Sequence, residues 1–485
     1  MGMILLLVGG LVMLFAGYPI IQWVTSKSAS TYGAYGIGGI NSTGQVPDTG
    51  LPGLIDKHTP NSALTRTGFD GKKYVLMFSD EFETDGRTFW PGDDPVWEAV
   101  DIHYWATGDF EWYDPDAITT KDGSLVITLT EEPIHGLNFR SGMLQSWNKF
   151  CFTGGYIEVS IRLPGSGAIG GYWPGAWTMG NLGRAGHGAT TDGVWPYSYD
   201  ACDLGTLPNQ TNLAGTGPAA ALNSGSKDYG GQLSYLPGQK LSACTCAGSD
   251  HPGPNVGVGR GAPEIDIIEA QVSWTGKELV GSVSQSAQFA PYDDGYQYKN
   301  TTGYVEIYDD AQTYLNEYLG GVYQQAVSGV TYTNPEAYSD TGDQFSLYGW
   351  EANADAANGG KNGYITWVTD GKKAWTMDAS AVGPNSKTGV DQRLVAQEPM
   401  YIILNLGISS SFQTINWAEL EFPATMLVDY VRVYQREDEQ NIGCDTATHP
   451  TSDYIQNHLE AYMNPNRTTW EAAGYTKPKN SMQGC

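Results

Sequence analysis

Positive charge is scarce in this chain. Only 26 of its 485 residues are Lys or Arg, against 53 Asp and Glu, for a net charge of −27 and a pI near 4.4. Such a field repels phosphate backbones, and no basic stripe interrupts it, so nucleic acid is excluded as a partner. Charge of either sign is sparse as well, at 16% of residues. Long polar helices laced with ion pairs are therefore not expected. The seven histidines, at positions 58, 103, 135, 187, 251, 449 and 458, are scattered and form no HExxH pair, so neither a catalytic metal nor an organic cofactor is expected. The six cysteines are few and even in number, and Cys244-Thr-Cys246 is too tight for a zinc ribbon. Internal repeats are absent.

What is abundant is glycine (62), tyrosine (30) and tryptophan (15). That mixture favours a turn-rich β protein. Strand-like runs include Ser124–Leu129, Gly155–Arg162, Tyr364–Val368, Met400–Leu404 and Asp429–Tyr434. In Gly155–Arg162 the residues Ile157, Val159 and Ile161 alternate with Tyr156, Glu158 and Ser160, the pattern of a strand buried on one face. Asp370-Gly371 supplies a hairpin turn. Many such strands with Gly-rich turns predict a two-sheet sandwich. Helix is expected only over 305–325 and 451–462.

The ends differ from the middle. Residues 3–24 carry no charge and are long enough to span a bilayer as a signal-anchor, with residues 1–2 left as a cytoplasmic end. A cleaved signal peptide is the rival reading, with SKSAS at 26–30 as the cleavage region. Residues 25–70 are rich in Ser, Thr, Gly and Pro and read as a flexible lumenal stalk. The folded domain is expected over 71–435, and 436–485 as a cysteine-containing tail crosslinked to itself through Cys444 and Cys485. Residues 183–260 are long and Gly-rich, with Cys202, Cys244 and Cys246 inside them, and predict a tethered loop near the site. Asn-x-Ser/Thr sequons begin at Asn41, Asn209, Asn300 and Asn466. Together with the cysteines they place the body in the secretory lumen or outside the cell, as a single-pass membrane protein.

The chemistry concentrates in Glu264-Ile-Asp-Ile-Ile-Glu269. Three acids inside an apolar strand are rare unless used or paired. Glu264 and Asp266 share a face, being two apart. Glu269 is five residues from Glu264 and shares it only if a β-bulge sits in the Ile-Ile pair. The two glutamates are then four pleat positions apart, about 13 Å along the strand, and each side chain leans about 4 Å toward the other. About 5 Å is left between carboxyls, the spacing of a retaining glycosidase. Glu264 reads as nucleophile, Asp266 as its assistant, and Glu269, beside apolar neighbours, as acid/base with a raised pKa. The competing reading is a metal or salt-bridge cluster, with Arg260 as counter-charge. For sugar stacking, Trp173 and Trp177 stand in a Gly-rich run, and Gln145 and Trp147 in Ser141–Asn148.

The hexapeptide resembles the ExDxxE strand of glycoside hydrolase family 16, as do Phe78–Phe82, Tyr172–Trp177 and Asp429–Tyr434. Ser141–Phe152, Leu241–Cys246 and His251–Pro254 resemble, more narrowly, fungal membrane-anchored proteins required for cell-wall β-1,6-glucan. The resemblance implies an all-β jelly roll of concanavalin type with long loop insertions and a concave cleft, besides the N-terminal membrane helix. It implies the same roles for Glu264, Asp266 and Glu269, β-glucan as partner, and a cytoplasmic segment ahead of the anchor. A structural calcium ion is compatible with the fold. Two functions follow: a glucan hydrolase or transglycosylase in β-1,6-glucan assembly, or a non-catalytic glucan-binding assembly factor on the same fold.

Overall fold

The computed structural model describes residues 53–360 and 362–485. The apolar run at 3–24 and Asn41 lie outside them. Among the described residues no helix is long and apolar enough to cross a membrane.

Two large sheets carry the molecule. The first has ten strands, running Thr65–Thr67, Lys73–Asp80, Ala424–Arg436, Gly155–Arg162, Ser346–Asn353, Tyr364–Thr369, Lys372–Asp378 and Val305–Ile307, with Ile118–Lys121 and Ser124–Leu129 attached beside Ala424–Arg436. The second has nine, running Thr313–Leu315, Gln324–Tyr332, Leu279–Phe289, Glu264–Trp274, Tyr172–Gly180, Met400–Ile408, Met143–Gln145 and Glu98–Ala99, with Gly320–Gly321 against Gln324–Tyr332. All pairings in both are antiparallel, which lets short Gly-containing turns join neighbours.

Alternation in the sequence puts one apolar set from each sheet into a shared core. Ile157, Val159, Ile161, Val431, Val433, Trp350 and Trp367 come from the ten-stranded sheet. Ile265, Ile267, Ile268, Val283 and Ala287 come from the nine-stranded one, and all are buried. Each such aliphatic side chain contributes about 1.5–3 kcal/mol on leaving water. This is the predicted sandwich.

A second core lies on the outer face of the nine-stranded sheet. Met143, Met179, Tyr401 and Ile403 point away from the sandwich and are covered by Leu182, by Ala185 and Val194 from the 183–260 segment, and by Tyr454, Ile455, Tyr462 and Trp470 from the tail. The tail therefore docks on the body. Its disulfides say the same: Cys151 joins Cys444 and Cys246 joins Cys485, while Cys202 joins Cys244. The expected tail crosslink between Cys444 and Cys485 is wrong, because the tail's apolar face at 454–470 seeks the sheet rather than itself.

Three further expectations change. The segment read as stalk is folded from 53 to 70: Thr65–Thr67 pairs with Lys73–Val75, and the Arg66 guanidinium lies 3.5 Å from the Tyr156 ring centroid. That cover also buries the outer face of Gly155–Arg162, where Tyr156, Glu158 and Ser160 were expected to meet solvent. Residues 305–325 form the short strands Val305–Ile307, Thr313–Leu315 and Gly320–Gly321 rather than a helix, since two sheet edges are free to pair with them. At 451–462 helix does form, as Ser452–Asn457 and Leu459–Met463 broken at His458.

Candidate active site

The triad strand, Glu264–Trp274, is central in the nine-stranded sheet. Its register slips between Asp266 and Glu269. Glu264 opposes Gln288 and Glu269 opposes Ser284, so five residues on one strand face a span of four on the other. On the opposite side Glu264 opposes Met179 and Glu269 opposes Gly175, again four apart. The bulge required by the spacing is present, and all three carboxylates share the outer face. Both Ile267 and Ile268 remain in the core.

Side chains satisfy the carbonyls that the bulge takes out of the ladder. Trp367, from the facing sheet, donates its indole N–H to the Asp266 carbonyl at 2.9 Å. Gln285 donates Nε2 to the Ile267 carbonyl at 3.0 Å and to the Val368 carbonyl at 3.0 Å, while Thr369 Oγ1 donates to its Oε1 at 3.0 Å. One buried amide thus ties the bulge to the opposite sheet.

Each carboxylate has its own donors. Trp195, from the 183–260 segment, donates Nε1 to Glu264 Oε2 at 2.6 Å. Ser286 Oγ and Gln288 Nε2 donate to Asp266 Oδ2 at 2.6 and 3.0 Å. Trp173 Nε1 donates to Glu269 Oε1 at 3.2 Å, and its ring stacks on Phe412 at 4.3 Å between centroids. Burial raises all three pKa values. Asp266 is pushed up to about 6, with Ser286 and Gln288 opposing the rise. Glu269 is pushed up to about 8, by burial first and then by the charge of Asp266. Glu264 rises too, from burial and the same neighbour, against the pull of Trp195. Three acids this close cannot all ionise at neutral pH, so Glu264 and Asp266 hold a proton between them. The arrangement offers a protonated acid, Glu269, facing a singly charged Glu264–Asp266 pair whose Glu264 end is held by an indole.

The predicted aromatic residues divide. Trp173 reaches Glu269. Trp177 is opposite Asp266, partly exposed, and donates Nε1 to Asn405 Oδ1 at 2.9 Å. Asn405 lies over Gly175, where a Cβ would come within 2.6 Å of its Oδ1 and push aside the amide that accepts from Trp177. Trp147 is a correction: it is buried in the second core, stacks on Tyr462 at 5.7 Å and carries Arg184 over its ring at 4.4 Å. It lines no cleft because the tail covers it. Gln145 is fully buried opposite Ile403, and neither its Nε2 nor its Oε1 has a hydrogen-bond partner among the described residues, so it presents no surface to solvent. Arg260 is no counter-charge for the triad: its guanidinium binds Glu398 at 2.6 and 2.8 Å. Of the sequons, Asn209, Asn300 and Asn466 are exposed. Among the described residues, no group of His, Cys, Asp and Glu is arranged to hold a metal ion.

Sequence reasoning missed Trp195, Ser286, Gln288, Phe412 and the Gln285–Trp367 lock. A signal existed for two of them. Residues 282–288 read Ser-Val-Ser-Gln-Ser-Ala-Gln, and their alternating small polar residues mark a face that meets carboxylates.

Sandwich and triad together define a β-sandwich of glycosidase type. Comparison with known proteins narrows this: the family described as "Beta-glucan synthesis-associated protein SKN1/KRE6/Sbg1" matches residues 1–485, and the chain belongs to that family. It is 48% identical over 433 residues to KRE6 of Saccharomyces cerevisiae, covering 89% of this chain and 56% of that one. It is 46% identical over 462 residues to SKN1 of the same yeast, covering 95% and 55%. The chain thus spans about half the length of the curated relatives it matches. Among solved structures it is similar to the catalytic domain of an endo-1,3-β-glucanase (laminarinase) from Thermotoga petrophila RKU-1, at 18% identity and TM-score 0.42, covering 76% of this chain and all of that one. An endo-β-1,3-glucanase from Pyrococcus furiosus is similar at 20% identity and TM-score 0.42, covering 78% and 98%.

Proposed function

We propose that this chain is a retaining glucan hydrolase or transglycosylase that remodels β-glucan during β-1,6-glucan assembly in the cell wall. The observation that carries this reading is the bulge that brings Glu264, Asp266 and Glu269 to one face. Glu264 attacks the anomeric carbon while Glu269 protonates the departing glycosidic oxygen, giving a glycosyl ester on Glu264. Asp266 holds the proton of the shared pair during attack, and the Trp195 indole stabilises the Glu264 carboxylate. Glu269, now ionised, takes a proton from water or from a sugar hydroxyl in the second step. Trp173 and Trp177 flank the sugar-binding face.

The three disulfides support an oxidising compartment, and the exposed sequons support glycosylation there. We place the domain on the lumenal or extracellular side of a secretory or plasma membrane, held by the apolar run at 3–24. Two measurements test the function. Glu264→Gln should fail to restore wall β-1,6-glucan in cells lacking the protein; full rescue would sink the catalytic reading. Incubating the purified chain with β-1,3- and β-1,6-gluco-oligosaccharides should yield longer or shorter products with retained anomeric configuration.

A further inference from the structure

Tyrosine is mostly buried here, yet among the described residues five are more than a third exposed: Tyr229 (42%), Tyr235 (42%), Tyr314 (38%), Tyr318 (55%) and Tyr323 (54%). All five fall on one edge of the nine-stranded sheet or on the loop beside it. Tyr314 opposes Val330, Val330 opposes Ser284, and Ser284 opposes Glu269. Residues paired across antiparallel strands share a face, so Tyr314 continues the row that contains Glu269. Three strand spacings separate them, about 14 Å. The Tyr314 hydroxyl donates to Ser273 Oγ, on the triad strand itself, at 3.1 Å. Tyr318 and Tyr323 follow within the next turns, where Gln324 Nε2 donates to the Tyr318 hydroxyl at 3.2 Å. Tyr235 stands 6.4 Å from Tyr323 and 5.5 Å from Tyr229, ring centroid to centroid. Backbone holds the two segments together, with Tyr235 N–H donating to the Val322 carbonyl at 2.8 Å.

Five exposed phenols in one strip forgo much hydrophobic stabilisation, since each ring would bury a large area in a core. Flat apolar faces with hydroxyl edges match the faces and hydroxyls of pyranose rings. The net charge of −27 disfavours a polyanion. At the other end of the same outer face the second core covers the sheet, so the solvent-exposed part of that face is the tyrosine end.

We propose that this tyrosine edge seats a neutral β-linked glucan as the acceptor chain, which reaches the site from the Glu269 side. The inference rests on the transglycosylase reading above. The acceptor hydroxyl attacks C1 of the glycosyl–Glu264 ester and a new C1–O bond forms. The C1–Oε bond breaks with its electron pair returning to the Glu264 carboxylate, and the hydroxyl proton passes to Glu269.

Titration calorimetry on the full chain carrying Glu264→Gln separates binding from turnover. The probes are β-1,6- and β-1,3-linked gluco-oligosaccharides, from disaccharide to long oligomers. Tyr318→Ala, Tyr323→Ala and Tyr235→Ala should each weaken long oligomers about five- to tenfold and change the disaccharide less than about twofold. Tyr323→Phe should retain most of the affinity, and unchanged melting temperatures confirm folding. In the chain with Glu264 intact, the three alanine variants should lower the ratio of transfer to hydrolysis. Unchanged affinity for long oligomers overturns the proposal, as does equal loss for all lengths or an effect confined to self-association or protein binding. A length-dependent loss in a chain without turnover leaves the edge standing and removes the catalytic reading alone.

Discussion

Gln285 is the residue whose loss tests the active-site reasoning most directly. Its side chain is fully buried and spans the sandwich, donating to carbonyls at Ile267 and Val368 and accepting from Thr369. The Ile267 carbonyl lies in the bulge and has left the ladder. Gln285→Leu keeps roughly the same shape but withdraws both donations. Each of the two buried carbonyls left without a donor costs about 1–3 kcal/mol, and the leucine recovers part of the sum through apolar contact. A net loss of about 2–4 kcal/mol is expected, a large share of the roughly 5–15 kcal/mol that holds a domain. Urea unfolding of the disulfide-intact chain should show a lower midpoint at unchanged slope. The bulge also sets parity: without it Glu269 turns to the core face, so turnover on gluco-oligosaccharides should fall further than the folded fraction does. A stability change under about 0.5 kcal/mol together with full activity would refute the claim that this amide holds the bulge.

The remaining expectations follow from the same site. Activity should be bell-shaped in pH, with an acid limb near 6, where the Glu264–Asp266 pair first ionises, and an alkaline limb near 8, where Glu269 loses its proton. Asp266→Asn removes a negative neighbour and should move the alkaline limb to lower pH in a pH–rate profile. Because the folded chain holds the Glu269 proton up to about pH 8, that proton's stabilisation is full below the ordinary glutamate range and is lost as pH rises toward 8. Melting temperature against pH should accordingly be flatter over that window in Glu269→Gln. Trp195→Phe removes the 2.6 Å donor from Glu264 and should lower kcat about 10- to 100-fold, with a normal melting temperature. A normal kcat would show that the indole has no part in the chemistry. Cys485→Ser opens a crosslink between residues 239 apart and should cost about 2–5 kcal/mol, read as a lower denaturation midpoint.

The triad was legible because its signal is local. Three acids in an Ile-rich strand are costly anywhere except at a site, and a period of two makes the need for a bulge arithmetic. Trp173 was legible for the same reason, two pleat positions from Gly175 on the next strand. Trp147 and Gln145 were misread because exposure is not a local property. Both sit on strand or turn positions suited to a cleft, yet both are buried, Trp147 by Tyr462 of the tail some three hundred residues later. The disulfide partners were hidden likewise, since six cysteines allow fifteen pairings and only packing selects one.

The amino-acid sequence by itself determined the β sandwich, through alternating apolar residues and Gly-rich turns. It also placed Glu264 and Asp266 on one face by counting and showed that Glu269 joins them only through a bulge, which the folded sheet supplies. Tertiary structure alone decided what holds them there and what surrounds them. Trp367 and Gln285 reach the bulge, Trp195 arrives from a distant loop, the tail closes one end of the sheet's outer face, and exposed tyrosines line the other end. Those are contacts between segments far apart in the chain, and their free energies depend on which surfaces the whole fold brings together.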